Sequence, residues 1–256
     1  MNANQRIYRL TAISRFPHPE GGQRVVVRVY SHPDTLMLEW WSQKTDATLK
    51  VGCLVAVDGS IVATGTDRKI VFGQLVLAEQ PSPDLNLFDT VPGDWKVCPT
   101  ALRKAAKYWS SMPQGHRKLF NQLYWDACRF KRYMTANRAV PTRFPVSHFA
   151  WMIEMAERVL PEDQESHARD AADLTLSALL LDAGSVDAPR PNSYVRLLEW
   201  LLVISRQSQL HDENILERMA WKIIQIHGLS AIESGAALVD AEAAESEVEV
   251  DRELLN

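Results

Sequence analysis

The period of the apolar pattern changes once along the chain, and that change limits the possible folds more than any other feature. Up to about residue 80, apolar and polar residues alternate in short runs rich in β-branched side chains: Ile7–Ser14, Gln23–Tyr30, Thr35–Trp41, Leu54–Ala63 and Ile70–Glu79. Successive side chains of a strand face opposite ways, so such runs predict half-buried strands. Turn chemistry separates them at Pro17-His18-Pro19-Glu20-Gly21-Gly22, His32-Pro33-Asp34, Asp58-Gly59 and Gly65-Thr66-Asp67. Asp58-Gly59 lies inside the fourth run and predicts a bend or bulge. Five short strands without a long helix between them predict an antiparallel β-barrel over residues 1–80, closed or nearly so.

Beyond a breaker-rich connection at 81–100, which includes Pro81-Ser82-Pro83-Asp84 and Pro92-Gly93-Asp94, the period becomes helical. Thr100 is a candidate N-cap for a helix over Ala101–Ser111, and later patterns predict helices over His116–Ala136, Val146–Leu160, Glu165–Asp182, Ser193–Gln207 and Asp212–His227. Gly184 and Gly228 are suited to stop two of these. The expected fold class is α+β in two domains: the barrel, then an all-α domain over 101–236. Residues 237–256, without an aromatic, predict an acidic disordered tail.

Charge is segregated along this plan. The chain as a whole carries −4, yet residues 101–145 hold ten cations (Arg103, Lys104, Lys107, Arg117, Lys118, Arg129, Lys131, Arg132, Arg138 and Arg143) against a single acid, Asp126. Eight aromatics are interleaved with them: Tyr108, Trp109, Phe120, Tyr124, Trp125, Phe130, Tyr133 and Phe144. The tail holds seven acids and one Arg. Most of these rings are expected to pack into the helical core, yet a local positive field with stacking surfaces among it is the footprint expected of a nucleic-acid contact, with an anionic protein surface as the competing partner. The tail is then a solubilising end, an internal mimic of nucleic acid, or a docking peptide for a protein partner.

No run reaches the ~18 apolar residues of a membrane span, so no membrane partner is expected. Met1–Arg6 lacks the apolar core of a signal peptide, which makes the cytoplasm the expected compartment. Cys53, Cys98 and Cys128 are widely spaced and are expected to be small buried residues, not disulfide or zinc partners. Phosphate-loop, nucleophile-elbow and His-Glu-x-x-His signatures are absent. Trp40-Trp41 closes the third run, and alternation sends one ring inward and the other outward. Near Arg28 and Lys44, the outward ring is placed either to stack a base or to pack under a loop or against the second domain.

Two resemblances sharpen these expectations. Leu49-Lys50-Val51-Gly52-Cys53-Leu54-Val55-Ala56-Val57-Asp58-Gly59-Ser60-Ile61 resembles the K-x-G-(d)-x-V-x-V-x-G-x-V step of OB-fold nucleic-acid modules, and Gly73-Gln74-Leu75-Val76-Leu77 is similar to the strand that follows it. In the helical half, His116–Ala136, the stretch Phe144–Ala156 and the stretch Ala178–Val186 resemble three successive segments of HD-domain phosphohydrolases, in particular the OB-plus-HD group of YhaM-type 3′→5′ exoribonucleases. Together the two resemblances span about residues 5–210.

The family's metal-binding positions are where this sequence departs. The first histidines fall at Pro141 and Thr142, the next ligand at Trp151, the His of the His-Asp pair at Leu181 and the customary Lys at Ser185. Only Asp182 remains, and one carboxylate cannot hold a catalytic metal. The expectation is therefore a pseudoenzyme without cofactor: a non-catalytic accessory or regulatory factor that binds nucleic acid, single strands in preference to duplex, through Trp40, Trp41 and the cationic segment. Two alternatives stand beside it. One is a metal-dependent nuclease with a site rebuilt from His148, His167-x-x-Asp170 or His211-Asp212; the other is a scaffold subunit for a protein partner.

Overall fold

In the computed structural model, the structure describes residues 6–19, 21–43, 48–64, 68–78, 80–136, 147–159, 168–180, 199, 203, 218–219 and 221–223. The first half is a five-stranded, mostly antiparallel sheet: β1 (Ile7–Pro17), β2 (Gln23–Ser31), β3 (Asp34–Ser42), β4 (Leu54–Thr64) and β5 (Arg68–Leu77). The strand order is β1-β2-β3-β5-β4, and the sheet curls until β1 pairs with β4. Two seams of this circuit are short. β1 meets β4 over Ile7–Arg9 alone, and β3 meets β5 in parallel through Met37↔Ile70 and Leu38↔Val71. The parallel seam departs from the all-antiparallel expectation.

Alternation determines the inner face. Val25, Val27, Val29, Leu36 and Leu38 are buried with Tyr8, Leu10, Leu49 and Val55, while Trp40 packs half-buried against them. Asp58-Gly59 forms no bulge, because Asp58↔Gln74 and Gly59↔Gly73 keep the register of the whole β4–β5 ladder. The irregularity lies instead between Leu10 and Ala12 of β1. Before it, Tyr8, Arg9 and Leu10 are consecutive and all buried, so this end of β1 is covered on both faces.

The second half is helical: α1 (Pro99–Ser111), α2 (Gln114–Tyr124), α3 (Ala127–Thr135), α4 (His148–Val159) and α5 (Ala168–Leu179). Pro99 occupies the first turn of α1, where its missing N–H costs nothing, so Thr100 lies inside the helix and does not cap it. The helix expected over His116–Ala136 is two helices. Asp126 adopts an extended backbone and its carboxylate accepts the Arg129 N–H at 2.7 Å, starting α3 afresh. Most of the helices expected over Ser193–Gln207 and Asp212–His227, and the tail 237–256, lie outside the described residues. Glu199, Val203, Arg218–Met219 and Trp221–Ile223 are helical.

The connecting segment is part of the core. Short 3-10 turns at Leu87–Thr90 and Gly93–Trp95 place Leu87, Phe88 and Val91 among the buried residues of the helices. Phe88, Phe120, Tyr124, Phe130, Tyr133 and Phe149 form a continuous ring cluster with centroid separations from 4.3 to 6.3 Å. Such separations suit tilted and edge-on ring contacts. The Tyr133 hydroxyl donates to the Leu179 carbonyl at 2.6 Å, and burial pushes its pKa up.

Strands and helices meet along a polar seam. The Arg9 side chain is fully buried; Nη1 donates to the Gly52 carbonyl at 2.8 Å, and Nε and Nη2 donate to Thr90 Oγ1 at 3.0 and 2.8 Å. Its guanidinium lies 4.8 Å from the Phe130 ring centre and 5.3 Å from that of Trp95. Burial pulls its pKa down to about 9, which leaves it charged at neutral pH. Gly52 holds a positive φ of 97° and donates its N–H to the Leu10 carbonyl at 2.7 Å. The Trp125 indole donates to the Ala78 carbonyl at 2.9 Å, tying the end of β5 to α2.

Candidate nucleic-acid interface

On the outer face of β1–β3, hydrogen-bond register stacks side chains into rows. Phe16 pairs with Arg24, and Arg24 with Trp41. Direct cross-strand partners share a face, so one row reads ring, cation, ring. Trp41 is 62% exposed and Phe16 50%. The Arg24 guanidinium lies 5.8 Å from the Phe16 ring centre, and the His18 ring meets Trp41 edge-on at 5.0 Å. One row along, Glu39 grips Arg24 with both oxygens, Nε to Oε1 at 2.5 Å and Nη2 to Oε2 at 2.8 Å. The hydrogen bond from Arg24 holds the Glu39 carboxyl below the usual carboxylate range, and the same bond raises Arg24. The exposed Arg28 extends the cationic edge. The Trp40-Trp41 pair is thus split as alternation requires, with Trp40 inward and Trp41 out.

The helical cations differ in exposure. Arg103 and Lys107 are exposed one turn apart on α1, and Lys131 and Arg132 are exposed on α3. Lys104 is ion-paired with Glu157 of α4 at 2.5 Å. Arg117 stacks on Trp109 with its guanidinium 5.1 Å from the ring centre, and Arg129 Nη1 donates to the Leu123 carbonyl at 3.2 Å. Lys118 is half-buried. Lys131 lies 5.9 Å from the Trp95 ring centre. Arg138 and Arg143 lie outside the described residues.

Among the described residues the interleaved aromatics pack into the core, as expected for most of them, and Phe144 lies outside the described residues. Trp109, Phe120, Tyr124, Phe130 and Tyr133 are buried in the core, and Tyr108 and Trp125 are half-buried against it. Helical spacing places them on the inner face, with Arg103, Lys107, Lys131 and Arg132 on the outer one and Arg117, Lys118 and Arg129 at the boundary. Rings and cations are combined on the strands instead, at Phe16, Arg24 and Trp41. The cysteines depart from expectation: Cys98 and Cys128 are exposed, and Cys53 is half-buried. Cys128 stands outside the buried stripe of α3, which is Phe130, Tyr133 and Met134.

Of the positions where the resemblance places metal ligands, Pro141, Thr142, Leu181 and Asp182 lie outside the described residues. Trp151 is half-buried, its ring 6.0 Å from that of the buried His148. Among the described residues, no group of three or more His, Cys, Asp or Glu side chains is placed to hold a metal ion. No family model, curated protein or solved structure matches the chain.

Sequence reading missed a buried ionic cluster in the helical half. The Asp173 carboxylate on α5 lies 2.7 Å from His116 Nε2 on α2 and 2.5 Å from Arg218 Nε, itself completely buried. Burial alone would raise this carboxyl. The hydrogen bonds and charges of His116 and Arg218 override that effect and hold it below the usual carboxylate range. With both oxygens engaged, Asp173 works as a clamp between α2, α5 and the helical segment at Arg218.

Proposed function

We propose that this protein binds single-stranded nucleic acid without chemical turnover, with unpaired bases meeting the outer face of β1–β3 and phosphates meeting the exposed cations. The observation that carries this reading is the pair of exposed rings, Phe16 and Trp41, flanking Arg24 on one strand row. Aromatic faces stack any base and cations track the backbone, which is the recurrent recipe for single strands. Five strands with a crossing from β3 to β5 fit the Greek-key plan of an OB module, whose second and third strands carry the ligand face. We read the helical half as an HD-like domain whose metal-binding positions have been replaced; α4 takes in most of the Phe144–Ala156 stretch, and α5 ends at Leu179, where the Ala178–Val186 stretch begins. Arg103, Lys107, Lys131 and Arg132 supply a second cationic surface there.

Fluorescence anisotropy with labelled single-stranded and duplex 20-mers, titrated at about 50 and 200 mM salt, tests the proposal. Single-stranded binding that weakens with salt is expected, with a slope near −0.7 per phosphate contact. Salt-insensitive binding, or none with either oligonucleotide, overturns it. Stronger binding of duplex would overturn the stacking role assigned to the strand face.

A further inference from the structure

We infer that Glu39 is a built-in stand-in for a nucleic-acid phosphate, holding the Arg24 fork until a strand takes its place. This inference rests on the single-strand reading above and assigns Glu39 a role in setting its affinity. The geometry is specific. Arg24 presents two N–H groups to the two oxygens of Glu39, at 2.5 and 2.8 Å, the same fork it would offer two phosphate oxygens. Glu39 stands on the exposed sheet face one row from the Phe16–Arg24–Trp41 row, so a base stacked on either ring brings its backbone within reach of the pair.

The pair is also weak enough to open. The two side chains are 46% and 40% exposed, and exposed ion pairs contribute little to stability because water and salt compete for both charges. A strand that replaces Glu39 at Arg24 therefore exchanges one bidentate bond for another and meets little resistance from the fold. Glu39 then plays two parts. It keeps Arg24 extended beside the rings in the free protein, and it disfavours weak anionic ligands that cannot displace it.

The test is a double-mutant cycle read by anisotropy with a single-stranded oligonucleotide across a salt series. Glu39→Gln is expected to tighten binding by about two- to fivefold and to steepen the salt slope by about 0.7, as one further cation becomes available. Arg24→Gln is expected to weaken binding, and in that background Glu39→Gln should lose most of its gain. Equal gains in the two backgrounds would show that Glu39 acts only as a repelling charge and would overturn the exchange, as would an unchanged affinity and slope. Both results leave wild-type binding in place, whereas a wild-type protein that binds no oligonucleotide overturns the single-strand reading itself. Far-UV circular dichroism and melting temperature check that each variant folds.

Discussion

Gly52 of the strand half faces Ala127 at the start of α3, and replacing it by alanine separates two physical costs. The first is conformational. Its φ of 97° lies in the region that L side chains rarely adopt, and holding a non-glycine residue there costs about 1–3 kcal/mol. Against this, alanine restricts the unfolded chain and returns about 0.4–1 kcal/mol. The second cost is contact. A Cβ at this position lies 3.0 Å from the Ala127 Cβ at the start of α3, inside the ~3.5–4.0 Å at which two carbons attract.

The net expectation for Gly52→Ala is a loss of about 1–3 kcal/mol, or roughly 2–12 °C in melting temperature at 2–4 °C per kcal/mol. Urea unfolding followed by tryptophan fluorescence measures it, as a lower midpoint at an unchanged slope. Ala127→Gly removes the opposing methyl, and at the first position of α3 it costs no more than about 1 kcal/mol in helix propensity. The double variant should recover the contact part only and remain below Ala127→Gly by the conformational part. Full recovery would show that the backbone angle costs nothing, and an unchanged midpoint for Gly52→Ala would refute both terms.

Trp41→Ala should weaken single-stranded binding by about 5- to 150-fold, the worth of one stacked base, and leave the melting temperature within a degree or two. Trp40→Ala should lower urea stability by about 2 kcal/mol or more through lost packing; the opposite assignment of the two rings would invert this contrast. For Asp173, whose folded-state pKa is depressed, the clamp contributes its full stability above the unfolded value near 3.8 and loses it as pH falls through the lower folded value. Melting temperature against pH should therefore fall more steeply below pH ~4 in the wild type than in Asp173→Asn. At pH 7 that variant should be less stable by about 3 kcal/mol, because His116 and Arg218 lose their shared partner; parallel curves for the two proteins would remove the clamp.

The strands were legible because alternation and turn chemistry agree. The run Gln23–Tyr30 became Gln23–Ser31, and Leu54–Ala63 became Leu54–Thr64. Where a glycine was taken for a disruption, the partner strand explains the difference: Gly59 sits opposite Gly73, and the two keep the ladder regular. The break in His116–Ala136 was written locally, in Asp126 followed three residues later by the amide it caps, but the apolar spacing running through Trp125 hides it. That Trp40 and Trp41 face opposite ways followed from period two alone. Their neighbours did not. Placing Phe16 and Arg24 beside Trp41 requires the register of two ladders, and β1 runs three residues past its expected end at Ser14. The clamp is less legible still, because His116 and Asp173 are 57 positions apart and only the packing of α2 against α5 brings them together.

β1 ties these observations together, since its two ends have different surroundings. At Tyr8, Arg9 and Leu10 the alternation fails because the helical half covers the face that would otherwise meet water, and Arg9 is the side chain that makes such cover possible. An apolar residue there would leave the Gly52 carbonyl without its donor, whereas the guanidinium satisfies it, bonds the Thr90 hydroxyl and still presents a flat face to Phe130 and Trp95. Seven residues further on, about 23 Å at the rise of a strand, Phe16 stands half-exposed beside Arg24 and Trp41. The helices thus bury one end of the strand face and leave the other open. Substitutions at the seam, Gly52→Ala among them, should accordingly change stability while leaving oligonucleotide affinity in the folded protein intact, and substitutions of the aromatic row should do the reverse.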